Sequence, residues 1–134
     1  MSFILGIESS CDETAAAVVD ASLRVRSNVV ASQYDLHAEY GGVVPEIASR
    51  AHLERVLPVI RKAIEEAGIG MHEVTAVAAG VRPGLIGSLL VGNSAAKGIA
   101  WARMLPFYAV DHVAAHMFAG LLRTDAAVPA AGGN

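Results

Sequence analysis

The chain has 134 residues, a common size for one domain and enough to enclose a sizeable core. Its 54% hydrophobic content includes only 5% aromatic residues and is joined by 13 glycines, which favours helices packed closely on a sheet over an aromatic-rich β-sandwich, so the composition reads α/β. A formal charge of -3 supplies no broad cationic field, so this chain alone lacks the usual surface for gripping a polyanion. Cys11 is the single cysteine, which excludes an intramolecular disulfide and any CxxC redox or metal motif and fits a reducing compartment.

The opening Met-Ser-Phe-Ile-Leu-Gly-Ile-Glu carries no positive n-region and meets Glu8 after an apolar run too short for a signal peptide or a membrane span, which predicts a soluble, cytoplasmic protein. Phe3 to Ile7 reads as a strand, Glu8-Ser-Ser-Cys-Asp-Glu-Thr as an acidic, hydroxyl-rich tip, and Ala15 to Val19 as the returning strand of a hairpin. After a turn at Asp20-Ala-Ser, Leu23 to Ser32 sets Val25, Val29 and Val30 among polar residues and predicts a third antiparallel strand. Tyr40-Gly-Gly-Val-Val-Pro-Glu is a loop by its glycines. Pro45 then suits the first position of a helix traced by Ile47, Ala48, Leu53, Val56, Leu57, Ile60 and Ile64, ending near Gly68. Pro58 inside that periodic run predicts a kink or a break into two helices.

Val74 to Ala79 reads as a strand buried on both faces, with Gly80-Val-Arg-Pro-Gly as its turn and the next helix beginning near Leu85. Gly87, Ser88, Gly92, Ser94, Ala95, Ala96 and Gly98 present small residues along that helix, where another element must approach closely. Pro106 to Val110 predicts a short strand, Asp111 the N-cap of a helix carrying His112 and His116, and 124–134 a frayed tail or the start of a linker after a lobe spanning 1–123. The resulting order, βββαβαβα on a mixed sheet, is by analogy of pattern the ribonuclease H-like half-domain of the actin-like ATPase fold shared by sugar kinases, actin and Hsp70-type ATPases.

His112 and His116 stand four residues apart, which on a helix brings two imidazoles to one face with Cβ atoms about 5–6 Å apart, close enough to share a cation. By spacing alone the pair serves equally as a structural one. A zinc protease of the HExxH type is unsupported, because Val113 stands where that chemistry needs a glutamate. Asp12 and Glu13 lie in a loop longer than a tight hairpin requires, at the end of an apolar strand, where sheet edges commonly hold a phosphate or metal-bound water. Gly87 to Gly92 gives a GxxxxG spacing, but Asn93 occupies the lysine position of a phosphate loop, so close packing is the better use of these glycines. Glu46, Ser49, Arg50 and His52 cluster at a helix start, where a site and a solvated, charge-paired face remain equally open readings.

Four stretches in order resemble the universal tRNA adenosine threonylcarbamoyltransferase family, formerly described as O-sialoglycoprotein endopeptidases: Gly6-Ile-Glu-Ser-Ser-Cys-Asp-Glu-Thr, His37 through His52, Arg82-Pro-Gly-Leu-Ile-Gly-Ser-Leu-Leu-Val-Gly, and His112 to His116. The resemblance covers most of residues 3–120 and implies an actin-like ATPase fold and transfer of a threonylcarbamoyl group from threonylcarbamoyl-adenylate to the exocyclic amine of an adenosine beside the tRNA anticodon. It implies His112 and His116 as two ligands of one divalent metal ion, iron or zinc, and Asp12 and Glu13 as the acidic loop facing that metal. It also places the segment from Glu46 to His52 at the rim of the site. The family's third ligand is an aspartate far downstream, so by resemblance this chain is the N-terminal lobe, little active alone, working with tRNA, an actin-like paralogous subunit and other tRNA-modification subunits, away from membranes. The alternative is a non-catalytic actin-like binding or dimerisation module, similar to the family's shorter paralogue that lacks the metal histidines, against which His112 and His116 argue.

Overall fold

A computed structural model describes residues 2–9, 13–32, 45–84 and 86–124, without the side chains of residues 116, 118, 123 and 124. Three strands open the chain, β1 (Phe3–Glu8), β2 (Glu13–Asp20) and β3 (Arg24–Ser32). Helix α1 (Pro45–Ala67) leads through a short 3-10 turn to β4 (Val74–Arg82). Helix α2 (Ile86–Ala102), β5 (Phe107–Asp111), α3 (His112–Phe118) and β6 (Arg123–Thr124) follow. The βββαβαβα order and the mixed sheet expected from the sequence are present, with β6 as an addition. Its two residues pair in parallel with Arg24 and Val25, so Thr124, expected in the tail, belongs to the sheet.

The strands lie in the order β5-β4-β1-β2-β3-β6. Antiparallel pairing sets Phe3 opposite Asp20 and Glu8 opposite Ala15, while β1, β4 and β5 run parallel. The pleat of β1 turns Phe3, Leu5 and Ile7 to one face and Ile4, Gly6 and Glu8 to the other. Helices α1 and α2 pack against each other and against the first of these faces, α1 on β2 and β3, α2 on β4 and β1. There Leu5, Val18, Ala63, Val77 and Ala96 are fully enclosed. The opposite face presents Gly6, Ala15, Ala17, Ala78 and Gly80, a small-residue floor bordered by Ala115 of α3.

The pattern of α1 follows from its buried Ala48, Ala51, Val56, Val59, Ile60, Ala63 and Ala67, spaced by three and four residues on one stripe. It starts at Pro45 as expected and stops at Gly68, whose φ of 70° closes a Schellman cap with Ile69 N–H donating to Ile64 C=O. The break expected at Pro58 does not occur. Pro58 is exposed, so the backbone carbonyl of Glu54, which loses its helical donor, is on the side facing water and the helix continues for 23 residues. The turn expected from Gly80 begins later as well, because β4 continues through Arg82, held by parallel pairing of Gly80 with Val110 and Arg82 with Asp111.

Small residues let α2 approach the sheet. Ser88, Gly92, Ala96 and Ala100 recur every four residues and are all buried. A Cβ built on Gly92 would lie 2.5 Å from Ser9 Oγ, which is the close packing the glycine pattern predicts.

Candidate active site at the carboxyl ends of the parallel strands

Three parallel strands end on one edge of the sheet, β1 at Glu8, β4 at Arg82 and β5 at Asp111. In α/β sheets such an edge is where loops and helix starts converge and ligands bind. Asp111 turns β5 into α3. Its Oδ1 accepts from the N–H groups of Val113 at 2.9 Å and Ala114 at 3.1 Å, the N-cap expected from the sequence. That cap sets His112 as the first residue of α3, directly beside the end of β1.

His112 Nδ1 lies 3.2 Å from Glu8 Oε2, and both side chains are about one-third exposed, at 32% and 30%. In the sequence alone Glu8 reads only as one polar residue of the tip. The signal that finds it is strand alternation combined with parallel register: Glu8 follows Ile7 on the other face of β1, on the edge where β5 delivers His112. His116 follows one turn later on α3, so the shared helix is as expected, while its side chain lies outside the described residues. Among the described residues no three His, Cys, Asp or Glu side chains form a group able to hold a metal ion.

Glu13 departs from its expected place. It is exposed as the first residue of β2, paired with Ser32 of β3, and not in the loop, because the antiparallel ladder extends two residues beyond Ala15. Asp12, with Ser10 and Cys11, lies outside the described residues.

Two buried polar contacts anchor the flanks of this acidic segment. Ser9 Oγ donates to Ser88 C=O at 2.6 Å and accepts from Gly92 N–H at 2.8 Å, the two groups that a regular turn of α2 would join to each other. Thr14 Oγ1 and His52 Nδ1 are 2.6 Å apart, and both residues are fully enclosed. His52 is therefore neither on the rim nor on a solvated face. It projects from α1 into the interface with β2, whereas Glu46 and Arg50 of the same cluster are exposed. The sequence signal for His52 was its place on the apolar stripe between Ala48 and Val56. Arg82, at the end of β4, makes an exposed ion pair with Asp111 at 3.9 Å.

A second polar turn sits at the far end of the hairpin. Burial alone would raise the pKa of Asp20, but the backbone N–H groups of Arg24 and Ser22 and the guanidinium of Arg26 outweigh it and hold the carboxyl below its ordinary value. No helix among the described residues is long and apolar enough to cross a membrane.

This fold is shared with a solved structure titled YeaZ from Pseudomonas aeruginosa, with a TM-score of 0.64 at 22% identity over 90% of this chain and 49% of that one. Among curated relatives, the tRNA N6-adenosine threonylcarbamoyltransferase of Treponema denticola is 54% identical over 126 residues, 94% of this chain and 37% of the relative. The protein of that name from Symbiobacterium thermophilum is 59% identical over 119 residues, 89% of this chain and 35% of the relative. The chain thus spans little more than a third of the length of these relatives. The family model for TsaD, tRNA N6-adenosine threonylcarbamoyltransferase, matches residues 24–133. With a family model that matches most of its length and relatives more than half identical to it, the chain belongs to the tRNA N6-adenosine threonylcarbamoyltransferase family.

Proposed function

We propose that this chain is the N-terminal lobe of a transferase that moves a threonylcarbamoyl group from threonylcarbamoyl-adenylate to the exocyclic amine of an adenosine in tRNA. The observation that carries the proposal is His112 at the carboxyl ends of the parallel strands, backed by Glu8 at 3.2 Å and followed one helical turn later by His116. A carboxylate behind one ring nitrogen is the usual outer contact of a metal-ligating histidine, so the donor set suits a metal. His112 and His116 would be its ligands from this chain, iron or zinc the ion, and other parts of the protein would supply the remainder of its shell. When bound, such an ion supplies Lewis-acid polarisation of the carbamoyl group.

This chain's own residues have separate tasks. Transfer forms a bond from the adenine nitrogen to the carbamoyl carbon, breaks the bond from that carbon to the adenylate oxygen, and releases a proton from the amine. Asp12 and Glu13 accept that proton or orient the amine. Ser9 and Thr14, each tied to a helix by a buried hydrogen bond, keep the strands that flank this acidic segment in place. The net charge of -3 leaves the grip on tRNA to other surfaces, and an actin-like paralogous subunit and further partners of a cytoplasmic complex would supply them.

A chimera tests the reading. The chain replaces the aligned segment of the Symbiobacterium thermophilum relative, and the modified nucleoside in tRNA is measured by mass spectrometry. The chimera transfers the group, His112→Ala and His116→Ala abolish transfer, and the isolated 134-residue chain transfers little. Undiminished transfer by either histidine variant sinks the metal reading, and full transfer by the isolated chain sinks the two-lobe reading.

A further inference from the structure

We infer that Glu8 is a positioning residue that fixes the tautomer and orientation of the His112 ring, and that Gly80 is a glycine because it seats the Glu8 carboxylate. This rests on the metal reading above only for its purpose; the contact itself stands on geometry.

Three observations converge. First, Glu8 Oε2 faces His112 Nδ1 at 3.2 Å across 104 positions of sequence. In its neutral form, an imidazole beside a carboxylate carries its proton on the nearer nitrogen and donates it, which makes Nε2 the electron-pair donor. Second, Ile7 pairs with Ala79, so the next residues along the two parallel strands are Glu8 and Gly80. A Cβ built on Gly80 would overlap Glu8 Oε2 and stand 3.0 Å from Cδ and 3.1 Å from Oε1, so no other residue at position 80 leaves the carboxylate where it is. Third, Glu8 Oε1 is enclosed and has no hydrogen-bond partner among the described residues. Enclosing a carboxylate oxygen without a partner is destabilising, and folds retain such arrangements chiefly where function uses them. A partly exposed glutamate kept only for stability would turn both oxygens to water; this one is held over a glycine with one oxygen against a histidine.

The test reads the ring itself. Nitrogen-15 shifts of His112 are recorded for the metal-free chain in mildly alkaline buffer, for the wild type and for Glu8→Ala, Glu8→Gln and Gly80→Ala, with zinc affinity measured on the same samples and folding checked by circular dichroism. The wild type shows the proton on Nδ1. Glu8→Ala moves it to Nε2 and weakens zinc binding about 10- to 100-fold. Gly80→Ala does the same with Glu8 intact, because the added methyl displaces the carboxylate. Glu8→Gln retains the Nδ1 proton, since its amide oxygen still accepts, with a smaller loss of affinity. A wild-type ring protonated on Nε2, or a His112 spectrum unchanged in Glu8→Ala, overturns the inference. If the tautomer responds as stated while the wild type takes up no zinc, the positioning role stands and the metal reading falls.

Discussion

Replacing Gly92 with alanine tests whether α2 is seated by Ser9. The new methyl would lie 2.5 Å from Ser9 Oγ, 3.3 Å from Ser9 Cβ and 3.4 Å from Ile7 Cγ2. Rotating the hydroxyl away relieves the first overlap but removes its bonds to Ser88 C=O and Gly92 N–H. Two buried hydrogen bonds at about 1 kcal/mol each give about 2 kcal/mol. Shifting Ser9 and Ile7 by a few tenths of an ångström adds about 1 kcal/mol. The better helix propensity of alanine returns about 1 kcal/mol. The net loss is about 2 kcal/mol, or roughly 8 °C in melting temperature for a domain of this size. The same substitution six residues along the same helix is the control: Gly98 is exposed with nothing within 4 Å of a built Cβ. Gly98→Ala gains about 1 kcal/mol from propensity alone and raises the melting temperature by roughly 4 °C. Thermal and urea unfolding of the two variants measures both. Adding Ser9→Ala to Gly92→Ala recovers part of the loss, because the blocking oxygen is gone. Equal shifts for the two alanine variants, or no recovery in the double variant, refute the account of how α2 is seated.

Two further outcomes follow from buried polar contacts. Thr14→Val conserves shape but removes the hydroxyl 2.6 Å from His52 Nδ1 in a fully enclosed pair, and lowers the unfolding free energy by about 1–3 kcal/mol, read as a lower urea midpoint at unchanged slope; a loss below about 0.5 kcal/mol contradicts that role. Asp20 has a depressed folded pKa, so its stabilisation is fully present above the ordinary carboxylate pKa and is lost as pH falls through the folded value. The gap in melting temperature between the wild type and Asp20→Ala is therefore widest near neutrality and closes as pH drops below about 4; a gap independent of pH refutes this.

Most of the secondary structure was legible because it is local. The three- and four-residue spacing of Ala48 to Ala67, the cap at Asp111, the glycine stop at Gly68 and the small-residue face of α2 each depend on neighbours within a turn or two. Where local expectations failed, the cause lay outside the segment, as two cases show. Pro58 interrupts a pattern on paper, but it faces water, and the packing of α1 on β2 and β3 keeps the helix whole. Glu13 reads as loop by polarity, but its pairing with Ser32 draws it into β2. The four ordered stretches, of which His112 to His116 is the last, likewise mark the family in the sequence itself.

The company kept by those residues is a different matter. Glu8 meets His112, Ser9 enters α2 and Thr14 meets His52 only because β1 lies between β2 and β4 with its own register to each, and because both long helices cover the same face of the sheet. A residue's pattern states which face of its own element it takes. Which side chain from another element arrives there depends on strand order and register, and these are set by the packing of the whole chain.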